Sequence, residues 1–269
     1  MSWEYRSRIF RHRLMRRLEE GQIFAPFFAV RERLAYLLHY RARQSQFEAI
    51  AARRERTRAF VLGTAPSLKQ QDIDRLDGEE YFVCNMAEHM PWMRERVHPY
   101  YIAADTGVPE KYEGGRPGLE ARQFFYAQKL ESRLDPGFIA ENEVFFFAPA
   151  KGGISKRGLT PEPWISLAGG QTILLSAVQM AVALGYSEIY VMGCDLDYSG
   201  PDPYAYRTTQ VERDRAQRND EKMRRKTNEQ FAILRAAIEA RGGTLANAGL
   251  GGRLETLPRV DFDRLTAPQ

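Results

Sequence analysis

The five residues Gly63-Thr64-Ala65-Pro66-Ser67 directly follow an apolar run, Ala59-Phe60-Val61-Leu62, and combine backbone N–H groups with two hydroxyls. That is the chemistry of a turn that cradles a phosphate or a ribose. The turn is neither G-x-x-x-x-G-K-[ST] nor G-x-G-x-x-G, which excludes a Walker-type nucleotidase and a standard dinucleotide site. Pro66 also removes one donor. A second small-residue turn, Ala168-Gly169-Gly170-Gln171-Thr172, opens a long helical stretch. Its glycines have two readings: free N–H groups at a positive helix end that take an anion, or backbone that lets helix and strand pack closely. Asn85, Asp105, Asp195 and Asn247 each follow a further apolar run. One such residue is an ordinary turn former. Five polar or small-residue ends in one chain point to a shared site.

Those residues need a scaffold, and the apolar runs supply it. Strands are expected at 59–62, 81–84, 100–103, 144–147, 188–192 and 244–246, with helices at 172–184 and 220–241. Strands alternating with helical stretches predict an α/β fold: a Rossmann-like, doubly wound, mostly parallel sheet with an N-terminal helical arm. In such sheets ligands bind outside the carboxyl ends of the strands, near the point where strand order reverses. The small and polar residues recur at those ends.

Charge divides the chain. Residues 1–58 hold fourteen Arg and no Lys against six Glu, a net +8, and the whole chain is +4, so the remainder is −4. We therefore expect a basic amphipathic helical arm over 1–58 and a Rossmann-like nucleotide-binding domain over 59–269. Within the arm Phe27, Val30, Leu34, Leu37 and Leu38 recur at helical spacing, Pro26 suits the first turn, and Arg31, Arg33, Arg41 and Arg43 fall elsewhere. Such a helix either packs on the body with a solvated Arg face or lies on an anionic membrane surface. The body lacks a basic-aromatic surface signature, which argues against nucleic acid. No apolar run approaches the roughly 18 residues of a membrane span, and the first twenty residues have no secretory pattern. The expected location is cytoplasmic, with a peripheral position at the inner face of the membrane open to the arm. Two cysteines, Cys84 and Cys194, are too few for a disulfide framework and read as small buried residues.

Three segments in order carry a resemblance: Phe60-Val61-Leu62-Gly63-Thr64-Ala65-Pro66-Ser67-Leu68, then Phe82-Val83-Cys84-Asn85, then Ala181-Val182-Ala183-Leu184-Gly185-Tyr186 through Gly193-Cys194-Asp195. They resemble bacterial sialyltransferases that use CMP-activated sugars. They equally resemble the 6-hydroxymethylpterin diphosphokinase-like family, which includes motility accessory factors. The resemblance covers roughly residues 59–250. It implies that Gly63, Thr64, Pro66 and Ser67 line a nucleotide, that Asn85 holds its sugar or phosphate, and that Gly169 and Gly170 lie near the donor. Tyr198 and Tyr204 fall near two tyrosines that assist the departing phosphate. The sialyltransferases place a histidine base in the stretch corresponding to 199–269, where this chain has none.

Sugar transfer with inversion needs a base for the acceptor hydroxyl and stabilisation of the leaving phosphate. With no histidine nearby, Asp195 or Asp197 is the expected base. The same Asp-x-Asp pair could instead hold Mg²⁺. Asp195 and Asp197 also have the plainer readings of strand-end cap and turn residue. His89 and His98 read as surface residues. The run Arg213, Arg215, Arg218, Lys222, Arg224, Arg225 and Lys226 is either a solvated helix face or a lid over a phosphate-bearing donor. The resemblance and the residues together imply a glycosyltransferase-like enzyme of bacterial surface-glycan assembly. Its donor would be a nucleotide-activated, plausibly CMP-linked sugar, its acceptor a glycan or lipid-linked saccharide, and it would need no cofactor. The rivals are ATP- and Mg²⁺-dependent diphosphate transfer and a non-catalytic nucleotide- or glycan-binding protein.

Overall fold

The run Ala59-Phe60-Val61-Leu62 carries no polar side chain because both of its faces and both of its edges are covered. It forms most of β1 (Arg58–Leu62), the strand beside which the sheet reverses. The computed structural model describes residues 40–267, apart from residues 151 and 219 and the side chain of residue 215. The apolar stripe at 27–38, and with it the membrane-surface reading of the arm, lies outside the described residues.

From Phe47 onward the chain forms one unit. Phe47 and Ile50, in helix α1 (residues 40–51), belong to its core. After β1 come β2 (Tyr81–Cys84), β3 (Val97–Ala103), β4 (Glu120–Ala127) and β5 (Val144–Phe147). A two-residue pair, β6 (Pro149–Ala150) and β7 (Leu167–Ala168), forms a separate ladder. The main sheet is completed by β8 (Glu188–Met192) and β9 (Thr244–Asn247) in the order β5-β4-β3-β2-β1-β8-β9, and every pairing is parallel. The fold is thus an α/β, Rossmann-like, doubly wound sheet. The chain winds outward from β1 to β5, returns to β8, and winds outward again. The switch point lies between β1 and β8.

The helices expected at 172–184 and 220–241 form, whereas the early strands are joined by shorter segments than an alternation with helical stretches implies. Between β1 and β4 they are 3-10 turns: Pro66–Gln70, Ile73–Leu76, Asn85–His89, Pro91–Met93 and Pro109–Lys111. Apart from α1, the described helices of at least eight residues come later in the chain. After α2 (Pro136–Glu141) and α3 (Gly153–Arg157), α4 (Ile173–Ala183) packs across β1, β2, β3 and β8 through Leu174, Leu175 and Val178. Then α5 (Gln210–Arg218) and α6 (Asp220–Glu239) follow, α6 presenting Phe231, Leu234 and Ile238 inward, and α7 (Phe262–Leu265) sets Phe262 edge-on against Phe60. Burying one such aromatic side chain contributes on the order of 1.5–3 kcal/mol. The aromatic core of the sheet includes Phe82 stacked on Tyr100, with ring centroids 4.7 Å apart.

Candidate functional site

Leu62 pairs with Met192, so β1 and β8 end side by side and their chains leave at Gly63 and Gly193. The Gly63 N–H donates to Met192 O at 2.9 Å and the Ala65 N–H to Gly193 O at 3.1 Å. A Cβ on Gly63 would sit 2.2 Å from Gly193 O, so no other residue fits there. Asp195 ties the two loops together. Its Oδ2 accepts the Ser67 N–H at 3.0 Å, and its Oδ1 accepts the Ser67 hydroxyl. Its own carbonyl accepts the Arg253 N–H at 2.6 Å. The backbone of Gly252 packs so closely on Asp195 that a Cβ there would lie 2.6 Å from the Asp195 Cα.

A cleft of about 960 Å³ opens outside these strand ends, at the upper end of the range for small-molecule sites. Gly63, Thr64, Asn85, Gly169, Gly170, Asp195, Asp197, Tyr198 and Tyr204 all line it. Pro66 and Ser67 do not. Pro66 opens the 3-10 turn, and Ser67 is buried with its hydroxyl directed at Asp195. Asn85 holds a left-handed backbone, φ 44°, a conformation that asparagine tolerates better than most residues. The Tyr101 hydroxyl donates to Asn85 O at 2.7 Å, and Asn85 Oδ1 accepts the Ala104 N–H at 3.4 Å. Gly169 leaves open space where a side chain would project, whereas Gly170 is packed on Leu175 and Ile154. The two readings of that glycine pair therefore divide between its members.

One wall of the cleft is tyrosine. Tyr198 and Tyr204 have ring centroids 5.9 Å apart, and Tyr204 stacks on Tyr206 at 5.3 Å and 13°. Burial pushes the Tyr198 and Tyr206 hydroxyls well above the ordinary tyrosine range, so both stay protonated and can donate hydrogen bonds. Burial likewise raises the thiols of Cys84 and Cys194, which leaves them unreactive. Asp197 is lowered, chiefly by the Ser199 hydroxyl at 2.6 Å and then by the Ser199 N–H at 3.1 Å, and faces Arg253 at 3.6 Å. Glu212 bridges to Lys111 across the cleft and accepts the Thr209 N–H at 2.8 Å. Burial would raise Glu212, but the Lys111 and Thr209 hydrogen bonds prevail and hold it at about 2.

No protein-family model and no curated protein matches the chain. Among solved structures it is similar to the sialyltransferase Cst-II bound to CMP, with TM-score 0.46 and 16% identity over 75% of this chain and 84% of that one. It is also similar to the monofunctional α-2,3-sialyltransferase Cst-I from Campylobacter jejuni, with TM-score 0.42 and 15% identity over 71% and 75%. A third is CstII from the same organism with the substrate analogue CMP-3FNeuAc, at TM-score 0.43 and 14% identity over 76% and 85%. These values describe a distant likeness and carry no residue-level equivalence.

Sequence reading missed part of the wall. Lys111, Lys129, Tyr206 and Glu212 line the cleft, as does Asp105, which was visible only as one strand end among several. The Tyr-x-Tyr spacing of 204 and 206 was the available signal for the second ring. Within the basic run, Lys222 reaches the cleft, while Arg213 bonds Thr208 O at 2.6 Å and Arg225 pairs with Glu229 at 2.8 Å. His98 is not a surface residue: it is fully buried, its Nε2 at 2.7 Å from Met93 O and its Nδ1 at 3.2 Å from the Tyr81 hydroxyl. Asp195 and Asp197 fit a Mg²⁺ site poorly, because Ser67 occupies both oxygens of the first and Ser199 and Arg253 those of the second. Among the described residues no group of three or more His, Cys, Asp or Glu side chains is placed to hold a metal ion. No described helix is long and apolar enough to cross a membrane.

Proposed function

We propose that the cleft binds a nucleotide-activated sugar, a CMP-linked one by the motif resemblance, and transfers the sugar to a hydroxyl of a glycan or lipid-linked saccharide. The observation that carries this reading is the convergence, at one switch point, of the Gly63–Thr64–Ala65 backbone, the strained Asn85, the amino end of α4 and the Tyr198–Tyr204 pair. The Gly63 and Ala65 N–H groups are spent on Met192 and Gly193, which leaves the Thr64 N–H and the positive end of α4 to suit a single phosphate. The Tyr198 hydroxyl, kept protonated by burial, suits the charge that gathers on that phosphate as the sugar leaves. No metal is required, since a CMP-sugar carries one phosphate rather than three.

Thermal shift against CMP, UDP, GDP and ATP, each with Mg²⁺ and with EDTA, tests the reading. The largest shift should come with CMP and survive EDTA. A strict Mg²⁺ requirement with ATP preferred would replace sugar transfer by diphosphate transfer. No response to any nucleotide would remove the reading. Binding without turnover of any nucleotide-sugar would leave a binding protein.

A further inference from the structure

Four carboxylates line the cleft, and they are not equally free. Asp195 has both oxygens on Ser67. Asp197 has one on Ser199 and the other facing Arg253. Glu212 has one on Lys111 and the other on Thr209. Asp105, directly after β3, uses only Oδ1, which accepts the Gly107 N–H at 3.0 Å, and Oδ2 has no hydrogen-bond partner among the described residues. Asp105 is exposed and lines the cleft, as Tyr206 does. His89 packs against Tyr206, with ring centroids 5.7 Å apart. His89 and His98 both lie outside the cleft lining.

A base must have a lone pair within reach of the proton it takes, and it must be able to lose that proton afterwards. Each carboxylate oxygen has two lone pairs, but a donor already held on it competes with the approach of an acceptor hydroxyl. Resting on the sugar-transfer reading above, we infer that Asp105, not Asp195, is the base for the acceptor hydroxyl. In the step, the acceptor O–H proton passes to Asp105 Oδ2 and the acceptor oxygen forms a bond to the anomeric carbon. The bond from that carbon to the phosphate oxygen breaks, and its electron pair leaves with the nucleoside monophosphate. The proton on Asp105 then returns to solvent. Tyr206, stacked on Tyr204, lines the same cleft and offers an aromatic face on which the apolar side of an acceptor sugar can lie. The nucleotide end and the acceptor end of the cleft are then separate: β1, β8 and α4 for the first, β3 and Tyr206 for the second.

The test is D105N in the full-length chain, with CMP-, UDP- and GDP-linked sugars as donors and a saccharide acceptor. Asparagine keeps the Oδ1 acceptor for Gly107, so the turn should survive. The expected result is an unchanged nucleotide-induced thermal shift with transfer slowed at least ~100-fold, the scale of a lost general base. Transfer by D105N at the wild-type rate would overturn the inference and leave the sugar-transfer reading standing. A wild-type protein that transfers from none of the donors would overturn both. If D105N fails to fold, D105S, whose hydroxyl can close the same turn, is judged by the same two readouts.

Discussion

Asp195 offers the sharpest perturbation, because its carboxylate joins loops 128 residues apart and its replacement by asparagine barely changes its shape. Two charge-assisted hydrogen bonds to a carboxylate are worth about 1.5–3 kcal/mol each, and neutral ones about 0.5–1.5. In D195N the amide oxygen can still accept the Ser67 N–H and the amide nitrogen can donate to the Ser67 oxygen. The loss is therefore the charge assistance, about 2–3 kcal/mol, which partial exposure of Asp195 reduces to about 1–2. For a unit of this size each kcal/mol moves the melting temperature by about 2–4 °C, so D195N should melt about 2–8 °C lower. Ser67→Ala should also destabilise the protein, and its effect in the D195N background should be smaller than in the wild type, because the two residues share one interaction. Thermal unfolding of the two single variants and the double variant measures both quantities. A D195N protein melting within about 1 °C of the wild type, with additive effects, would refute the clamp. It would return Asp195 to candidacy as a base.

Two other outcomes follow from geometry and burial. Gly169→Ala should keep its melting temperature, because a Cβ there meets nothing within 4 Å, yet it should shrink the nucleotide-induced shift by projecting into the cleft; an undiminished shift would place the ligand elsewhere. Burial raises Glu88 to about 8 from an ordinary 4.5, only partly offset by Arg94, and its Oε2 has no partner among the described residues. Both states hold the proton below pH 4.5, and between about 4.5 and 8 only the unfolded chain releases it. Stability should therefore fall through that window and level off above it. Glu88→Gln should flatten this limb in melting temperature against pH, and parallel curves for the two proteins would refute the assignment.

Strands buried on both faces were the most legible part of the fold. The runs within β1, β2 and β8 stand out as apolar because nearly every position there is buried. β4 was missed because Glu120, Arg122 and Gln123 interrupt its first half, where the strand reaches the surface, and its apolar run shrinks to Phe124–Ala127. The early connections gave no helical signal because the short segments after β1, β2 and β3 form 3-10 turns that carry no periodicity. In the site, strand-end position correctly marks Gly63, Asn85 and Asp195 as neighbours of the cleft. It does not tell which way a side chain turns. Ser67 looks like a ligand hydroxyl until Asp195, far along the chain, claims it. The Lys111–Glu212 bridge likewise depends on a pairing 101 residues apart that no local pattern announces.

The winding order has a consequence for how the protein is made. β1 lies inside the sheet, but its second neighbour, β8, is synthesised about 130 residues later. At roughly 5–20 residues per second, a ribosome leaves that flank uncovered for about 6–26 s. During this interval Ala59–Leu62 presents unpaired N–H and C=O groups on an apolar edge, a template for pairing with another nascent chain. The same interval offers a use for a chaperone that holds exposed strands. Once β8 docks, the edge disappears and Gly193 meets Gly63 in the same event. A chain that ends before β8 would therefore lack the cleft and keep its hazard, so truncation should give aggregates rather than a soluble, inactive half.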